Sequence, residues 1–200
     1  MDNRALFNIG YGLYVLTSAD EGKQNGCIIN TVMQITSNPI SILIGVNKNN
    51  LTHEMIMKSG QFNISMLTEK APFSVFENFG FHTGRNYDKY ASSPYYAKAD
   101  NGIYCITQYV NSVLLCKTTE TFDMGTHTLF KSSVEDAIVL NDEPSVTYSY
   151  YQNYIKPKPK VSDKHGYRCT ICGYEHIGDT LPDDYICPIC KHGASDFVKF

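Results

Sequence analysis

The C-terminal stretch YRCTICGYEHIGDTLPDDYICPICKHGASDFVKF, residues 167–200, holds four of the seven cysteines of this 200-residue chain. They form two Cys-x-x-Cys pairs with fourteen residues between them: Cys169, Cys172, Cys187 and Cys190. Each pair makes a tight turn, and the loop between the pairs lets the four thiolates converge on one ion. Four sulfurs in a tetrahedron suit zinc or iron. Since residues 166–200 are too few to bury a core unaided, we expect the metal to contribute to their folding.

Cysteine usage also indicates the compartment. The total is odd, and paired Cys-x-x-Cys motifs fit metal binding under reducing conditions better than a disulfide framework. We therefore expect a cytoplasmic protein. The remaining three, Cys27, Cys105 and Cys116, lack this spacing and are predicted to be small buried hydrophobic residues.

A lysine- and proline-rich run, KPKPK at residues 156–160, separates this tail from the rest of the chain. Proline lacks a backbone donor and restricts the residue before it, so the run cannot enter a helix or a central strand. We predict a semi-stiff linker over residues 153–165 between a domain at 1–152 and the tail at 166–200. A folded surface loop is the alternative.

Charge and hydropathy exclude two classes of partner. The net charge is −3 and the isoelectric point is near 6.0, so no general basic field attracts a nucleic acid. The longest clean apolar run, ISILIGV at residues 40–46, is far below the roughly 18 residues that a membrane helix needs. We expect a soluble protein that binds neither nucleic acid nor membrane.

The long N-terminal part has mostly strand-like patterns, rich in β-branched and aromatic residues and bounded by turn residues. These segments are residues 11–19, 26–37, 41–47, 61–67, 112–123 and 126–140. They favour an antiparallel barrel. LTHEMIMKSG at residues 51–60 predicts a helix with Thr52 as its cap and Gly60 at its end, and PFSVFENF at 72–79 predicts a second one.

The tail resembles rubredoxin in its compact form. The resemblance covers residues 167–200 and lies in CGY at 172–174, EHIGDTLPDDY at 175–185, CPIC at 187–190 and the closing Phe197. It favours iron in the four-cysteine site, with zinc as the alternative. Gly173 is expected to take a positive φ that aims backbone N–H groups at the sulfurs. His176 and His192 are predicted to be surface residues, since four sulfurs complete the coordination.

The long domain resembles the flavin reductase family, over roughly residues 5–150. The matching motifs are NGCIINTVMQITSNP at 25–39, NKNNLTHEMI at 47–56, FGFHTGRNYDKY at 79–90, GTHTLF at 125–130 and PSVTYSYY at 144–151. The resemblance implies a mainly β fold, an FMN-binding split β-barrel with a few helices, followed by the small rubredoxin-like metal-binding domain.

The start of the first predicted helix is the candidate phosphate site. A helix N-terminus offers free N–H groups and a partial positive charge to an anion. The resemblance implies that the FMN phosphate binds there, with further charge from the 85–89 segment. The implied contacts are Lys48, Asn50, Leu51, Thr52, Arg85 and Lys89. A solvated surface is the alternative for the three cations.

The flavin ring is expected to meet polar groups of the 26–37 segment. The resemblance implies contacts from Asn30, Thr31 and Gln34, whose alternative is an ordinary wet strand face. His127 matches a family histidine near flavin and nicotinamide, although LFKSSV at 129–134 departs from the glycine that the family often has there. His53 is predicted to lie on the helix surface.

The two resemblances together imply electron transfer from NAD(P)H through FMN to iron and on to an acceptor. A hydride carries two electrons, whereas a single iron accepts one electron at a time. Flavin can take part in both two-electron and one-electron transfer. High-molecular-weight rubredoxins of anaerobes, which chains of this kind resemble, reduce flavodiiron oxygen or nitric oxide reductases, and split-barrel relatives are homodimers. Two alternatives stay open: a flavin reductase with a structural zinc tail, and a flavin-binding carrier without NAD(P)H activity of its own.

Overall fold

The computed structural model describes residues 5, 8–91, 95–157 and 165–200. Contacts divide the chain into two compact units, Met1–Ile155 and Lys156–Phe200. Of the predicted linker, residues 158–164 lie outside the described part. Its first three residues, 153–155, belong to a helical turn of the first unit.

The first unit is built on one antiparallel seven-stranded sheet with the order β2-β1-β5-β8-β9-β4-β3. Its strands are β1 (Tyr14–Asp20), β2 (Lys23–Ile29), β3 (Val32–Ser37), β4 (Ile40–Asn47), β5 (Gln61–Leu67), β8 (Val110–Met124) and β9 (His127–Val139). A separate hairpin pairs β6 (Tyr96–Lys98) with β7 (Tyr104–Ile106). The antiparallel barrel expected from the strand patterns is thus confirmed.

Asn30 and Thr31 connect the two edges of this sheet. Strand β2 ends at Ile29 and β3 begins at Val32, yet these strands occupy opposite ends of the strand order. Two residues span only about 7 Å, so the sheet must curl until its edges meet. The prediction of one continuous strand over residues 26–37 was therefore wrong, because this segment supplies both edges of the split barrel.

Helix α1 (Leu51–Ser59) follows β4 directly, with Asn50 as its N-cap residue. It ends at Gly60, which has φ +68° and donates its N–H to the Ile56 carbonyl at 2.8 Å, as predicted. Thr52 does not cap the helix. It lies inside the first turn, where its Oγ1 accepts a hydrogen bond from Asn25 Nδ2 at 2.9 Å.

Two apolar clusters cover the two faces of the sheet. Val15 and Leu16 are neighbours on β1 but belong to different clusters, because successive strand residues point to opposite faces. One cluster packs under α1 through Ile56. The other packs under α2 (Phe73–Gly80) and under α3 (Tyr148–Tyr150), which continues as a π-helical turn (Tyr151–Ile155).

The β6–β7 hairpin is attached to the barrel by polar contacts. Thr17 Oγ1 donates to the Tyr104 carbonyl at 2.6 Å, and the Tyr104 N–H donates to Gln24 Oε1 at 3.0 Å. The Ile106 N–H donates to Ser65 Oγ at 3.0 Å. These bonds from buried or half-buried groups fix the hairpin beside β1 and β2.

The second unit contains a three-stranded sheet with β10 (Gly166–Cys169) between β11 (Glu175–Ile177) and β12 (Phe197–Lys199). Its core is small: Cys169, Cys187 and Phe197 are its buried apolar residues, with half-buried tyrosines around them. Arg168 donates to the Glu175 carboxylate at 2.9 Å and lies 4.2 Å from the centre of the Phe200 ring. Two of the three core residues are cysteines, which supports a contribution of metal binding to folding.

Within the described residues, no helix has the length and hydropathy required to cross a membrane.

Candidate functional site

Four sulfur atoms converge in the second unit. The Sγ atoms of Cys169, Cys172, Cys187 and Cys190 all lie within 4.8 Å of one another. The pairs Cys169–Cys190 and Cys172–Cys187 are each 3.5 Å apart, too far for a disulfide bond and close to the edge of a tetrahedron of metal thiolates. Residue types, count and spacing therefore fit one metal ion.

The two Cys-x-x-Cys turns have the same geometry. Gly173 and Lys191 follow the second cysteine of each pair with φ values of +80° and +64°. Their N–H groups donate to the carbonyls of Cys169 and Cys187 at 2.9 and 3.0 Å. The positive φ predicted for Gly173 is confirmed, and Lys191 shows that the second turn takes the same conformation without glycine.

Backbone N–H groups surround the sulfurs, as the sequence predicted. Cys172 Sγ accepts from Tyr174, Cys187 Sγ from Ile189 and Cys190, and Cys190 Sγ from His192. Such bonds stabilise thiolate over thiol and tune the redox potential of a bound metal. His192 is exposed as expected, whereas His176 is half-buried with its ring 4.7 Å from that of Tyr185.

The first unit gathers the predicted phosphate-binding groups at the start of α1. Leu51 and Thr52 are its first two residues, whose N–H groups have no acceptor within the helix, and the Asn50 side chain does not cap them. Lys48 lies just before the helix, where its Nζ pairs with Asp123 at 2.7 Å. The loop and helix start thus present open donors and a half-exposed cation to an anion.

Arg85 comes to the same helix from the segment after α2. Its guanidinium forms a two-pronged pair with Glu54, with Nη1 and Oε2 at 3.2 Å. This pair holds the pKa of the Glu54 carboxyl below its usual range. The preceding Gly84 lies so close to Asn25 that an added Cβ would stand 2.0 Å from its Oδ1. Glycine therefore permits the contact that brings Arg85 beside α1.

Lys89 is not brought to this group. The structure buries it with 3% of its surface exposed, and Nζ donates to the carbonyls of Gly26 and Phe79 at 2.7 and 3.0 Å. Phe79 lies near the C-terminal end of α2, where a cation is favourable. Lys89 therefore ties α2 to β2, and its predicted phosphate contact has no support from this geometry. Burial lowers the pKa of Lys89 to about 8.

The buried ammonium of Lys89 predicts a pH dependence of stability. The unfolded chain keeps this proton up to about pH 10.5, whereas the folded chain releases it near pH 8. Raising the pH through this window therefore favours folding, by at most about 3 kcal/mol. The free energies of unfolding of wild type and Lys89→Met can be measured in urea by circular dichroism at pH 7.5 and 10.5. From the lower to the higher pH, the free energy of unfolding of wild type is expected to rise relative to that of the variant. A constant difference between the two proteins would contradict it.

The predicted flavin-ring contacts lie at the barrel split. Asn30 and Thr31 are half-buried, and Thr31 Oγ1 donates to Asn30 Oδ1 at 3.1 Å. The Thr31 carbonyl accepts from the Gly45 N–H at 3.2 Å. Gln34 is exposed on β3, where its Nε2 donates to the Thr36 carbonyl at 3.3 Å. Asn30 and Thr31 lie in the connection between β2 and β3, and Gln34 lies on the edge strand β3 that follows it.

His127 begins β9 and pairs in register with Asn47, next to Lys48. Its side chain is exposed, with Nδ1 2.9 Å from Thr126 Oγ1. The Lys48 N–H donates to the Thr126 carbonyl at 3.0 Å. The structure therefore brings His127 and the α1 start to the same end of the sheet.

His53 was wrongly predicted to lie on the helix surface. It is buried, with Nε2 2.8 Å from Thr128 Oγ1 and its ring edge-on to Phe130 at 5.5 Å. Burial, with Lys48 nearby, lowers its pKa. His53 thus fastens the first turn of α1 to β9. No sequence signal distinguished it, because helix α1 is covered by β9, which lies more than seventy residues away.

The other cysteines follow the prediction in part. Cys27 and Cys116 are buried, whereas Cys105 is only half-buried. Burial raises the pKa of the Cys116 thiol to about 12 and also raises that of Cys27. Both buried thiols are therefore protonated hydrophobic groups at neutral pH.

Comparison with known proteins agrees with both units. Residues 6–157 match the flavin reductase like domain, and residues 167–198 match the rubrerythrin, rubredoxin-like domain. Among solved structures, the NADH:FAD oxidoreductase SgcE6 of Streptomyces globisporus C-1027 superposes with a TM-score of 0.67 at 19% identity, over 74% of this chain and 86% of that one. The FMN-binding protein of Thermus thermophilus gives 0.63 at 20% identity, over 70% and 82%.

Two curated relatives are similar over most of their length. The ferric-chelate reductase (NAD(P)H) of Archaeoglobus fulgidus is 37% identical over 79% of this chain and 93% of its own. The high molecular weight rubredoxin of Moorella thermoacetica is 36% identical over the whole of both chains.

The split barrel and the four-sulfur site together define this protein as a flavin-linked electron-transfer oxidoreductase. Within that class the chain belongs to the flavin reductase-like family, in the group that carries a C-terminal rubredoxin unit, the high-molecular-weight rubredoxins.

Proposed function

We propose that this protein transfers electrons from NAD(P)H to an acceptor protein, by way of FMN in the first unit and iron in the second. The observation that carries the proposal is the presence in one chain of a helix start with open N–H donors in the barrel unit and of a four-thiolate cage. Bound FMN would accept a hydride and pass on single electrons, which a tetrathiolate iron takes one at a time.

The residues around α1 fit the phosphate end of FMN. Free N–H groups of Leu51 and Thr52 and the side chain of Asn50 would hold the phosphate, and Lys48 and Arg85 would balance its charge. Each cation already has a carboxylate partner at the surface, so each is held near the helix start. Surface ion pairs are weak and exchange readily for a phosphate.

Asn30, Thr31 and Gln34 would orient the flavin ring along the barrel split. The edge of the flavin ring carries polar atoms that need hydrogen-bonding partners. The amides of Asn30 and Gln34 and the hydroxyl of Thr31 offer donors and acceptors for them. His127 would position nicotinamide, since it is exposed at the same end of the sheet as Lys48. Hydride transfer itself needs no acid or base from the protein, so His127 is proposed as a positioning residue.

Iron is proposed over zinc for the cage. Both ions accept four thiolates. The N–H groups aimed at the sulfurs of Cys172, Cys187 and Cys190 fit a metal site whose charge changes between an oxidised and a reduced state. The rubredoxin-like match supports the same choice. A structural zinc tail is the alternative.

The acceptor is proposed to be a flavodiiron protein with a basic docking surface. Residues 166–200 carry three Lys or Arg and five Asp or Glu, a balance of −2, to which an iron tetrathiolate adds −1 or −2. Opposite charges steer transient encounters, and salt screens them. The rate of electron transfer to such a partner is therefore expected to fall as ionic strength is raised.

A homodimer is proposed for the first unit, within the cytoplasm. Strands β3 and β8, which are separated by β9 and β4 in the same sheet, expose Met33, Ile35, Phe122 and Met124, each 45–57% exposed. Large apolar side chains grouped on one sheet are typical of an interaction surface. Sedimentation of the purified protein at twice the chain mass would support the dimer, and a monomer at all concentrations would exclude it.

One visible spectrum tests the central proposal. The purified protein is expected to show flavin and ferric tetrathiolate bands, and both are expected to bleach when NADH or NADPH is added under nitrogen. Bleaching of flavin in a protein without ferric bands would favour the zinc alternative. Absence of bleaching with both nucleotides would favour a flavin-binding carrier that another protein reduces.

A further inference from the structure

Lys156 contacts the first of the two Cys-x-x-Cys turns. It is the first residue of the second unit, and its side chain is half-buried. Its Nζ donates to the carbonyl of Thr170 at 3.1 Å and also to the carbonyl of Ile171. These are the two residues between Cys169 and Cys172. The ammonium group is therefore held against the peptide groups of a turn that supplies two metal ligands.

The partial burial of Lys156 distinguishes it from a lysine that only keeps a linker in water. An ammonium group loses hydration when it is buried, and this costs free energy unless partners replace the water. Here two backbone carbonyls replace it. The linker predicted over residues 153–165 therefore contains a residue that belongs to the metal-binding unit.

The charge of Lys156 acts on the sulfur atoms of the cage. Burial lowers the pKa of Lys156, whereas Cys172, Cys169 and Cys190 act to raise it. Three of the four metal ligands are thus within electrostatic range of the ammonium group. Among the residues that the structure describes, no carboxylate pairs with Lys156. Its positive charge is therefore not balanced by an ion pair in that part of the chain.

The other lysines and arginines described in the second unit have different surroundings. Arg168 pairs with Glu175 at 2.9 Å, so a carboxylate balances its charge. Lys191 and Lys199 are exposed, where water and salt screen their charges. Within the described part of this unit, Lys156 is the cation that combines partial burial with hydrogen bonds to a metal-binding turn.

We propose that Lys156 raises the reduction potential of the metal site by holding a positive charge at the first Cys-x-x-Cys turn. One electron, supplied by NAD(P)H through flavin, changes the net charge of an iron tetrathiolate from −1 to −2. A nearby cation stabilises the more negative state more strongly, so it favours reduction. Lys156 supplies no ligand and is a positioning residue. The inference rests on the proposed function, because it requires iron in the cage.

The test measures the reduction potential of the iron site in the full-length protein. Each protein is equilibrated with redox mediators, and its ferric iron is quantified by an electron paramagnetic resonance signal that flavin does not share. Lys156→Gln keeps a hydrogen-bond donor but removes the charge. A single nearby charge commonly changes such an equilibrium about 10-fold. At a given potential the ferrous-to-ferric ratio is therefore expected to fall about 10-fold, which lowers the reduction potential by about 59 mV.

Two further variants separate charge from structure. Lys156→Arg keeps the charge, so its potential is expected to stay close to that of wild type. Lys199→Gln is the matched control, because it removes the same charge from an exposed position on β12 of the same unit, and it is also expected to leave the potential unchanged. If Lys156→Gln does not retain iron, Lys156→Met takes its place, with the same expected decrease.

Three results would overturn the inference. The first is a wild-type potential in an iron-loaded Lys156→Gln or Lys156→Met protein. The second is an equal decrease in Lys199→Gln, which would assign the effect to net charge alone. The third is an equal decrease in Lys156→Arg, which would assign it to the shape of the side chain. Absence of a ferric signal from wild type would instead overturn the proposed function, and this inference with it.

Discussion

Replacement of Cys187 by serine is expected to abolish metal binding and, with it, electron output to one-electron acceptors such as cytochrome c. Cys187 is fully buried, and its sulfur accepts from the N–H groups of Ile189 and Cys190. A serine oxygen is a poor ligand for a site built of soft sulfur donors. The variant's ferric bands should disappear, while flavin bleaching by NAD(P)H should persist at the wild-type rate.

Folding of the second unit is expected to fail in the same variant. Its core holds little besides Cys169, Cys187 and Phe197, so metal binding is expected to be coupled to folding. Limited proteolysis should remove the region after residue 155 and leave the barrel intact, because the two units have separate cores.

Cys105→Ser is the control for this experiment. Cys105 is half-buried on β7, far along the chain from the cage, and its Sγ donates to the Ala97 carbonyl at 3.6 Å. It removes one thiol without touching the site. A Cys187→Ser protein that keeps its ferric bands, or a Cys105→Ser protein that loses them, would contradict the assignment of the four ligands.

The four-sulfur site was predictable from the sequence because its information is local. Each Cys-x-x-Cys pair specifies its own turn, and the glycine at position 173 predicts the positive φ there. One loop joins the two pairs. The strands of the barrel were predictable for a similar reason, since alternation and turn residues mark each strand separately. Local patterns do not show where a single chain segment changes from one sheet edge to the other, which is why Asn30 and Thr31 were assigned to one strand.

Lys89, His53 and Tyr90 depend on contacts that no local pattern encodes. A lysine after GRNYD looks like a surface cation, yet its Nζ bonds to Gly26, sixty-three residues earlier in the chain. His53 is covered by Thr128 and Phe130 of a distant strand. Tyr90 packs its ring among Phe79, Tyr96 and Tyr104, and its buried hydroxyl has no hydrogen-bond partner among the residues that the structure describes. The family resemblance predicted Arg85 as a contact near the start of α1, and the structure pairs its guanidinium with Glu54 of that helix.

Removal of both cations at the start of α1 is expected to weaken FMN binding by about 100-fold without affecting riboflavin. Lys48 and Arg85 would each add a charge-assisted bond to phosphate, worth about 1.5 kcal/mol or tenfold. Riboflavin has no phosphate, so Lys48→Ala with Arg85→Ala should reduce the preference for FMN over riboflavin by the same factor of about 100. Quenching of flavin fluorescence on titration into the apoprotein measures both affinities.

Lys58→Ala is the matched control, because Lys58 belongs to the same helix but lies in its last turn, paired with Asp20 at 2.7 Å. All three cations form exposed ion pairs, which add little to stability, so none of the variants should unfold. If the affinities of the double variant for riboflavin and for FMN fell equally, the two cations would be acting through the fold of the barrel and not through the phosphate. Equal losses of FMN in Lys58→Ala would point to general charge attraction. A loss of affinity for FMN, but not for riboflavin, that occurs in the double variant and not in Lys58→Ala would place the phosphate at the start of α1.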